Sequence, residues 1–210
     1  MKLLKDKIIT AWLEGHNVEQ YSIEKSAEYG YVVNVEGDVD LSKRKLKSIP
    51  VKFGEVKGNF DVSYNSLTSL EGSPDCILAD FICNYNNLST LEFGPWHAGS
   101  YYCGHNKLIS LEGCATQIGR DFYCNNNLLT TLEHCPERVH WMFGEFDCSH
   151  NKLTTLQYRP STAAVFNCEG NLFLGKLQDM KKIEDIDIHM ERFLLGQRVR
   201  GANKSQVHKL

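Results

Sequence analysis

Two kinds of side chain in this sequence are able to do chemistry by type and spacing. They are eight cysteines and the histidines His105 and His150, which sit in the matching runs GHNKL and SHNKL. His105 and His150 with nearby acids could serve a hydrolase or transferase, and grouped cysteines could hold zinc. Zinc sites usually show close pairs such as Cys-x2-Cys, and this sequence has none. A Gly-rich phosphate loop, a nucleophile elbow and a His-Glu-x-x-His pair are also missing. Any chemistry therefore depends on elements that would bring separated residues together.

Those elements are internal repeats. FDVSYNSLTSL begins at Phe60, FICNYNNLSTL at Phe81, YYCGHNKLISL at Tyr101, FYCNNNLLTTL at Phe122 and FDCSHNKLTTL at Phe146. A first, divergent copy begins at Val39 and a decaying last one at Phe166. The starts are 21, 21, 20, 21, 24 and 20 residues apart. In a strand, alternate side chains point to opposite faces. The first and third residues of each copy, such as Phe60 and Val62, should then point inward, with Asp61 and Ser63 outward. Cys83, Cys103, Cys124, Cys148 and Cys168 all hold the third position, so they are expected to form a buried column of small apolar residues. The recurrent Asn65, Asn86, Asn106, Asn127, Asn151 and Asn171 should end each strand and bond backbone groups of their own and the neighbouring coil. His105 and His150 fall two coils apart, about 10 Å between backbones. That is too far for a joint metal site or a direct nucleophile–base pair, so neither catalysis nor a cofactor is expected.

The shared pattern, aromatic-x-Cys-x-x-Asn-x-Leu-x-x-Leu, resembles the leucine-rich-repeat signature in its short, 20–21-residue class. The run from Val33 to Gly72 is also similar to leucine-rich-repeat proteins encoded by tailed bacteriophages. The resemblance implies an α/β, β-rich solenoid with a parallel β-sheet on its concave face. It further implies a non-catalytic interaction module, and a host protein as partner if the source is a phage.

A solenoid exposes apolar faces at its ends unless they are capped. Residues 1–38 read as an N-terminal cap. It comprises a helix with Leu4, Ile8 and Trp12 on one stripe beside Ile9 and Leu13, stopped near Gly15 and Asn17. A hairpin turning at Glu36–Asp38 should follow, pairing residues 31–35 with the first coil's strand. Residues 39–175 are the repeats, 176–196 a C-terminal capping helix, and 197–210 a polar tail.

The outward strand positions define the candidate surface. Tyr64 should neighbour Tyr85, and Tyr102 should neighbour Tyr123, giving contact area with polar tips. Asp61, His105, Asp147 and His150 complete the face. The longest repeat carries an insertion, RVHWMFGEF, from which Trp141 and Phe143 are expected to reach a partner.

Composition bounds the partner. The net charge is -3 over 210 residues, without the strong basic excess of nucleic-acid binders. Residues 59–171 carry 12 acids and 5 bases, so a partner with a basic or mixed surface is expected. Two other readings follow from charge. The acidic face could mimic nucleic acid and block a DNA- or RNA-binding protein, or Lys43, Arg44, Lys45 and Lys47 could contact nucleic acid directly. No apolar run is long enough to span a membrane, and Lys5, Asp6 and Lys7 interrupt the N-terminal apolar residues. A cytoplasmic location and reduced thiols are the matching expectations.

Overall fold

The computed structural model describes residues 2–136 and 144–173, with side chains described from Asp6 onward. The helix expected over 176–196, the tail at 197–210 and the insertion bearing Trp141 and Phe143 lie outside the described residues.

The chain winds into a parallel β-solenoid with two sheets. A seven-stranded sheet takes one short strand from each coil, in sequence order: Val39–Asp40, Phe60–Asp61, Phe81–Ile82, Tyr101–Tyr102, Phe122–Tyr123, Glu145–Asp147 and Val165–Asn167. The coils stack in register. Phe60 pairs with Phe81, Phe81 with Tyr101, Tyr101 with Phe122, Phe122 with Phe146 and Phe146 with Phe166. Like side chains therefore lie over like. The first-position rings form one buried file, with Phe122 and Phe146 centred 5.5 Å apart and Phe146 and Phe166 5.2 Å apart. Beside it run the five cysteines, all fully buried, and the paired leucines such as Leu88 and Leu91. One coil alone could not hide these apolar side chains, and stacking gives all coils a common core.

The second sheet goes beyond the single sheet expected from the sequence. It contains six strands: Tyr21–Ser26, Gly30–Val35, Phe53–Val56, Cys76–Ile77, His97–Ala98 and Gln117–Ile118. Val56, Ile77 and Ala98 on these strands are fully buried and line the core opposite the phenylalanine file.

The hairpin forms, but not where the sequence placed it. Tyr21–Ser26 pairs antiparallel with Gly30–Val35, so the turn falls at residues 27–29 rather than Glu36–Asp38. The inner strand then pairs parallel with Phe53–Val56 of the six-stranded sheet, not with the first coil's strand at Val39. Gly30, at φ +78°, supplies the left-handed residue that this turn needs.

The helix Lys2–Gly15 ends as its sequence suggests. Asn17 takes φ +58°, the Val18 amide donates to the Leu13 carbonyl, and the Asn17 amide donates to that of Glu14. This is a Schellman stop, with Leu13 and Val18 both buried as its apolar clasp. The buried face centres on Leu13 with Ile9 and Trp12, while Ile8, expected on the same stripe as Trp12, points to solvent.

An asparagine ladder fastens coil to coil. Nδ2 of Asn106 donates to the carbonyl of Cys103 in its own coil and of Cys83 in the coil before, and its Oδ1 accepts from the Leu88 amide. Asn65, Asn86, Asn127, Asn151 and Asn171 repeat the arrangement. Strand-ending backbone groups that would otherwise be buried unpaired are thereby satisfied. Among the described residues, no helix is long and apolar enough to cross a membrane.

Candidate partner-binding face

The outer face of the seven-stranded sheet carries two files of side chains, at the second and fifth position of each coil. The fifth position has an unusual backbone. Lys43, Tyr64, Tyr85, His105, Asn126 and His150 all take φ between 52° and 56°, and Gly170 takes 66°. Left-handed backbone costs a non-glycine residue about 1–2 kcal/mol, least for asparagine. The turn is nonetheless held in every coil, because amides at this position extend the coil-to-coil ladder. Tyr64 donates to the Asn84 carbonyl, Tyr85 to that of Gly104 and His105 to that of Asn125.

This geometry turns the fifth side chains into a continuous stack. Tyr64 and Tyr85 have ring centroids 4.3 Å apart at 11°, and Tyr85 and His105 are 4.1 Å apart at 10°. Lys43 Nζ sits over the free face of Tyr64 at 5.3 Å, a cation–π contact. Farther along, the His150 ring covers Gly170 so closely that a β-carbon there would collide with it. Because the rings face one another, the stack presents edges and hydroxyl tips. Tyr64 is 51% exposed and Tyr85 40%, so a partner meets a ridge rather than an open ring face.

The second-position file holds Asp61, Ile82, Tyr102, Tyr123, Asp147 and Asn167. Tyr102 and Tyr123 stack at 5.0 Å and 16°, as their spacing predicts. Tyr123 Oη donates to Glu145 Oε2 at 2.6 Å, and burial with this carboxylate pushes its pKa well above the usual phenol value. Asp61 and Asp147 are half-buried, and each turns one carboxylate oxygen back to accept its own backbone, from the amides of Ser63 and Ser149. Their charge is thus partly committed to strand-end turns. Between the files the fourth position varies: Ser63, Gly104 and Ser149 are buried, Asn84 and Asn125 are half-buried, and Glu169 is exposed.

One column went unnoticed in the sequence. The residue just before each strand is often Asp or Asn, and its side chain bonds the next coil. Asp38 accepts from the Asn59 amide, Asn59 from Asp80, Asp80 from Ser100, and Asp121 from Glu145. Arg120 also clamps Asp80 across two coils at 2.5 Å. The recurrence of Asp or Asn one residue ahead of the aromatic was the available signal. These acids are therefore structural as well as charged.

Among the described residues the remaining reactive groups do not converge. Burial pushes the thiols of Cys83, Cys103, Cys124 and Cys148 far up, and that of Cys168 up to about 11, away from the nucleophilic thiolate range. Cys76 Sγ lies 3.9 Å from His97 Nδ1 on the six-stranded sheet, but that nitrogen is 3.1 Å from the Ile77 carbonyl and burial raises the thiol. His105 and His150 lie on either side of the Phe122 coil. Among the described residues, no three His, Cys, Asp or Glu side chains group as a metal site would require.

The structure thus brings Asp61, Tyr64, Tyr85, Tyr102, His105, Tyr123, Asp147 and His150 onto one sheet face, while Trp141 and Phe143 lie outside the described residues. No family model matches the chain, and no curated protein or solved structure is significantly similar to it.

Proposed function

We propose that this chain is a non-catalytic, leucine-rich-repeat-type protein-binding module acting through the outer face of its seven-stranded sheet. One observation carries the reading. In three consecutive coils a left-handed position that asparagine or glycine fills at less cost, as in Asn126 and Gly170, holds Tyr64, Tyr85 and His105 instead. Stacking returns about 0.5–1.5 kcal/mol per ring pair. The exposed edges and hydroxyls beyond that are what a partner would use. Tyrosine ridges of this kind offer large, stiff contact area at small entropic cost. Asp147 and Glu145 nearby favour a partner with basic or mixed surface, and the likeness to phage-encoded repeats favours a host protein in the cytoplasm.

A nucleic-acid mimic would need a line of free carboxylates. On this face the second-position file is interrupted by Ile82, Tyr102 and Tyr123, and its aspartates bond their own backbone, so here direct protein binding is preferred to mimicry.

The test is a triple substitution, Tyr64→Asn with Tyr85→Asn and His105→Asn, which suits the left-handed backbone. Affinity capture should recover a partner with the native chain and lose it with the variant, while circular dichroism and melting stay within a few degrees. Equal recovery by both proteins would refute the reading.

A further inference from the structure

A second surface lies on a different corner of the coil, where the chain turns from the leucine-bearing segment into the six-stranded sheet. In the five repeats from Phe60 to Phe146 the thirteenth residue has left-handed backbone there: Gly72 at φ +94°, Phe93 at +66°, Gly113 at +80°, His134 at +66° and Tyr158 at +66°. Glycine suits this position best, and it stands on both sides of Phe93. Phe93 nevertheless occupies it, 63% exposed. Three residues on, across Gly94 and Pro95, Trp96 is 52% exposed. The tight turn between them is held by the Gly94 amide on the Leu91 carbonyl and the Trp96 amide on that of Asp75. Core burial rewards neither ring, and two large aromatics on one rigid turn are the usual anchors of a docking surface.

A file of acids runs beside Phe93; Lys47 and Lys52 share a hollow with Glu71 at one end of it, and Lys52 is paired with Asp75. The residue preceding the left-handed one is Glu71, Glu92, Glu112 and Glu133 in four successive coils, all exposed. Coils rise by about 4.8 Å, so these carboxylates form a file at that spacing. Among the described residues none of the four makes an ion pair. Their backbone amides are taken by Ser69, Thr90, Ser110 and Thr131 hydroxyls, which fixes the corner but leaves the carboxylates outward. In-register like charges repel, and a cationic partner relieves that repulsion.

We propose that Phe93 and Trp96, flanked by this glutamate file, dock a basic protein segment that pairs Lys or Arg with an apolar side chain. Phe93 and Trp96 supply the anchors, and Glu71, Glu92 and Glu112 select the charge. The surface is separate from the tyrosine ridge and does not depend on it.

The probe is a displayed random peptide library selected against the full chain, with selected peptides resynthesised and titrated by fluorescence anisotropy. The control residues come from neighbouring coils. Glycine replaces Phe93 as in Gly72 and Gly113, threonine replaces Trp96 as in Thr116, and glutamine replaces the glutamates as in Gln157. Selected peptides are expected to be rich in Lys or Arg beside an apolar residue. Phe93→Gly with Trp96→Thr should weaken them tenfold or more. Glu71→Gln with Glu92→Gln and Glu112→Gln should weaken them about fivefold at low salt and flatten the salt dependence. The Tyr64, Tyr85 and His105 triple variant should bind them as the native chain does. Peptides without basic enrichment, or equal binding to the Phe93→Gly, Trp96→Thr variant, would overturn the proposal. So would a marked fall in melting temperature on Phe93→Gly, since the ring would then serve packing. Sedimentation showing a dimer that the double variant abolishes would also overturn it, by making a second copy the occupant.

Discussion

Replacing Asn106 by alanine isolates the coil-to-coil fastening. The amide of Asn106 donates to Cys83 O at 3.0 Å, Cys103 O at 3.2 Å and Gly104 O at 3.3 Å, and accepts from Leu88 N at 3.1 Å. The losses differ in kind. Cys83 O keeps a second donor in Asn86, and Cys103 O keeps one in Asn127, so neither carbonyl is orphaned. The Leu88 amide loses the partner that the ladder gives it, in a buried setting. An orphaned buried donor costs about 1–3 kcal/mol, and the weakened carbonyls add about 1 kcal/mol together. Asn106→Ala should therefore destabilise the chain by about 2–4 kcal/mol. For a chain this size that lowers the melting point by roughly 5–15 °C. Urea unfolding followed by circular dichroism reads the change directly, with Asn125→Ala on the outer face as control, expected within about 0.5 kcal/mol. Repeat arrays can unfold in parts, so the slope of the transition should be compared between variants. A loss below about 0.5 kcal/mol would refute the assignment of Asn106 as a ladder residue.

Two other outcomes follow from buried groups. Tyr101 stands in the phenylalanine file, fully buried, and its hydroxyl has no hydrogen-bond partner among the described residues. Tyr101→Phe should leave stability unchanged or raise it by about 1 kcal/mol in urea melts, and a loss of more than that would show that the hydroxyl is bonded. The cysteine column makes the fold alkali-sensitive. The unfolded chain releases thiol protons near pH ~8.5, while the native state retains them because burial raises these groups. Above that pH the unfolded state binds fewer protons, so stability falls as pH rises, by about 1.4 kcal/mol per pH unit for each thiol. For Cys168 the fall should end near its raised value of about 11. Urea melts at pH 8, 9 and 10 with reductant should show this slope, and Cys103→Val, matching Val62, should remove one thiol's share. Constant stability up to pH 10 would contradict the burial of the column.

The sequence announced what recurs at fixed spacing. The phenylalanine file, the cysteine column, the asparagine ladder and both tyrosine pairs follow from register alone, since stacked coils put like residues together. The second sheet was hidden because most of its strands past the hairpin are two residues long, too short to show alternation. The left-handed fifth position was hidden too. Its lysine, tyrosines and histidines disguise a conformation that Asn126 and Gly170 alone betray. The hairpin was misplaced because Glu36-Gly37-Asp38 looks like a turn, while the true turn at residues 27–29 is marked by Gly30 alone. Glu36 instead donates its amide to the Gln20 carbonyl, closing the base of the hairpin.

Coil-over-coil register underlies the ridge, the ladder and both proposed surfaces, and it can be observed atom by atom. Scalar couplings across hydrogen bonds, measured by NMR on the labelled chain, report which amide donates to which carbonyl. Correlations from Cys83 N to Tyr102 C′, Cys103 N to Tyr123 C′ and Cys124 N to Asp147 C′ are predicted, matching amide–carbonyl distances of 2.8 Å at each step. Couplings displaced by one residue would turn every tyrosine to the opposite face and contradict the account.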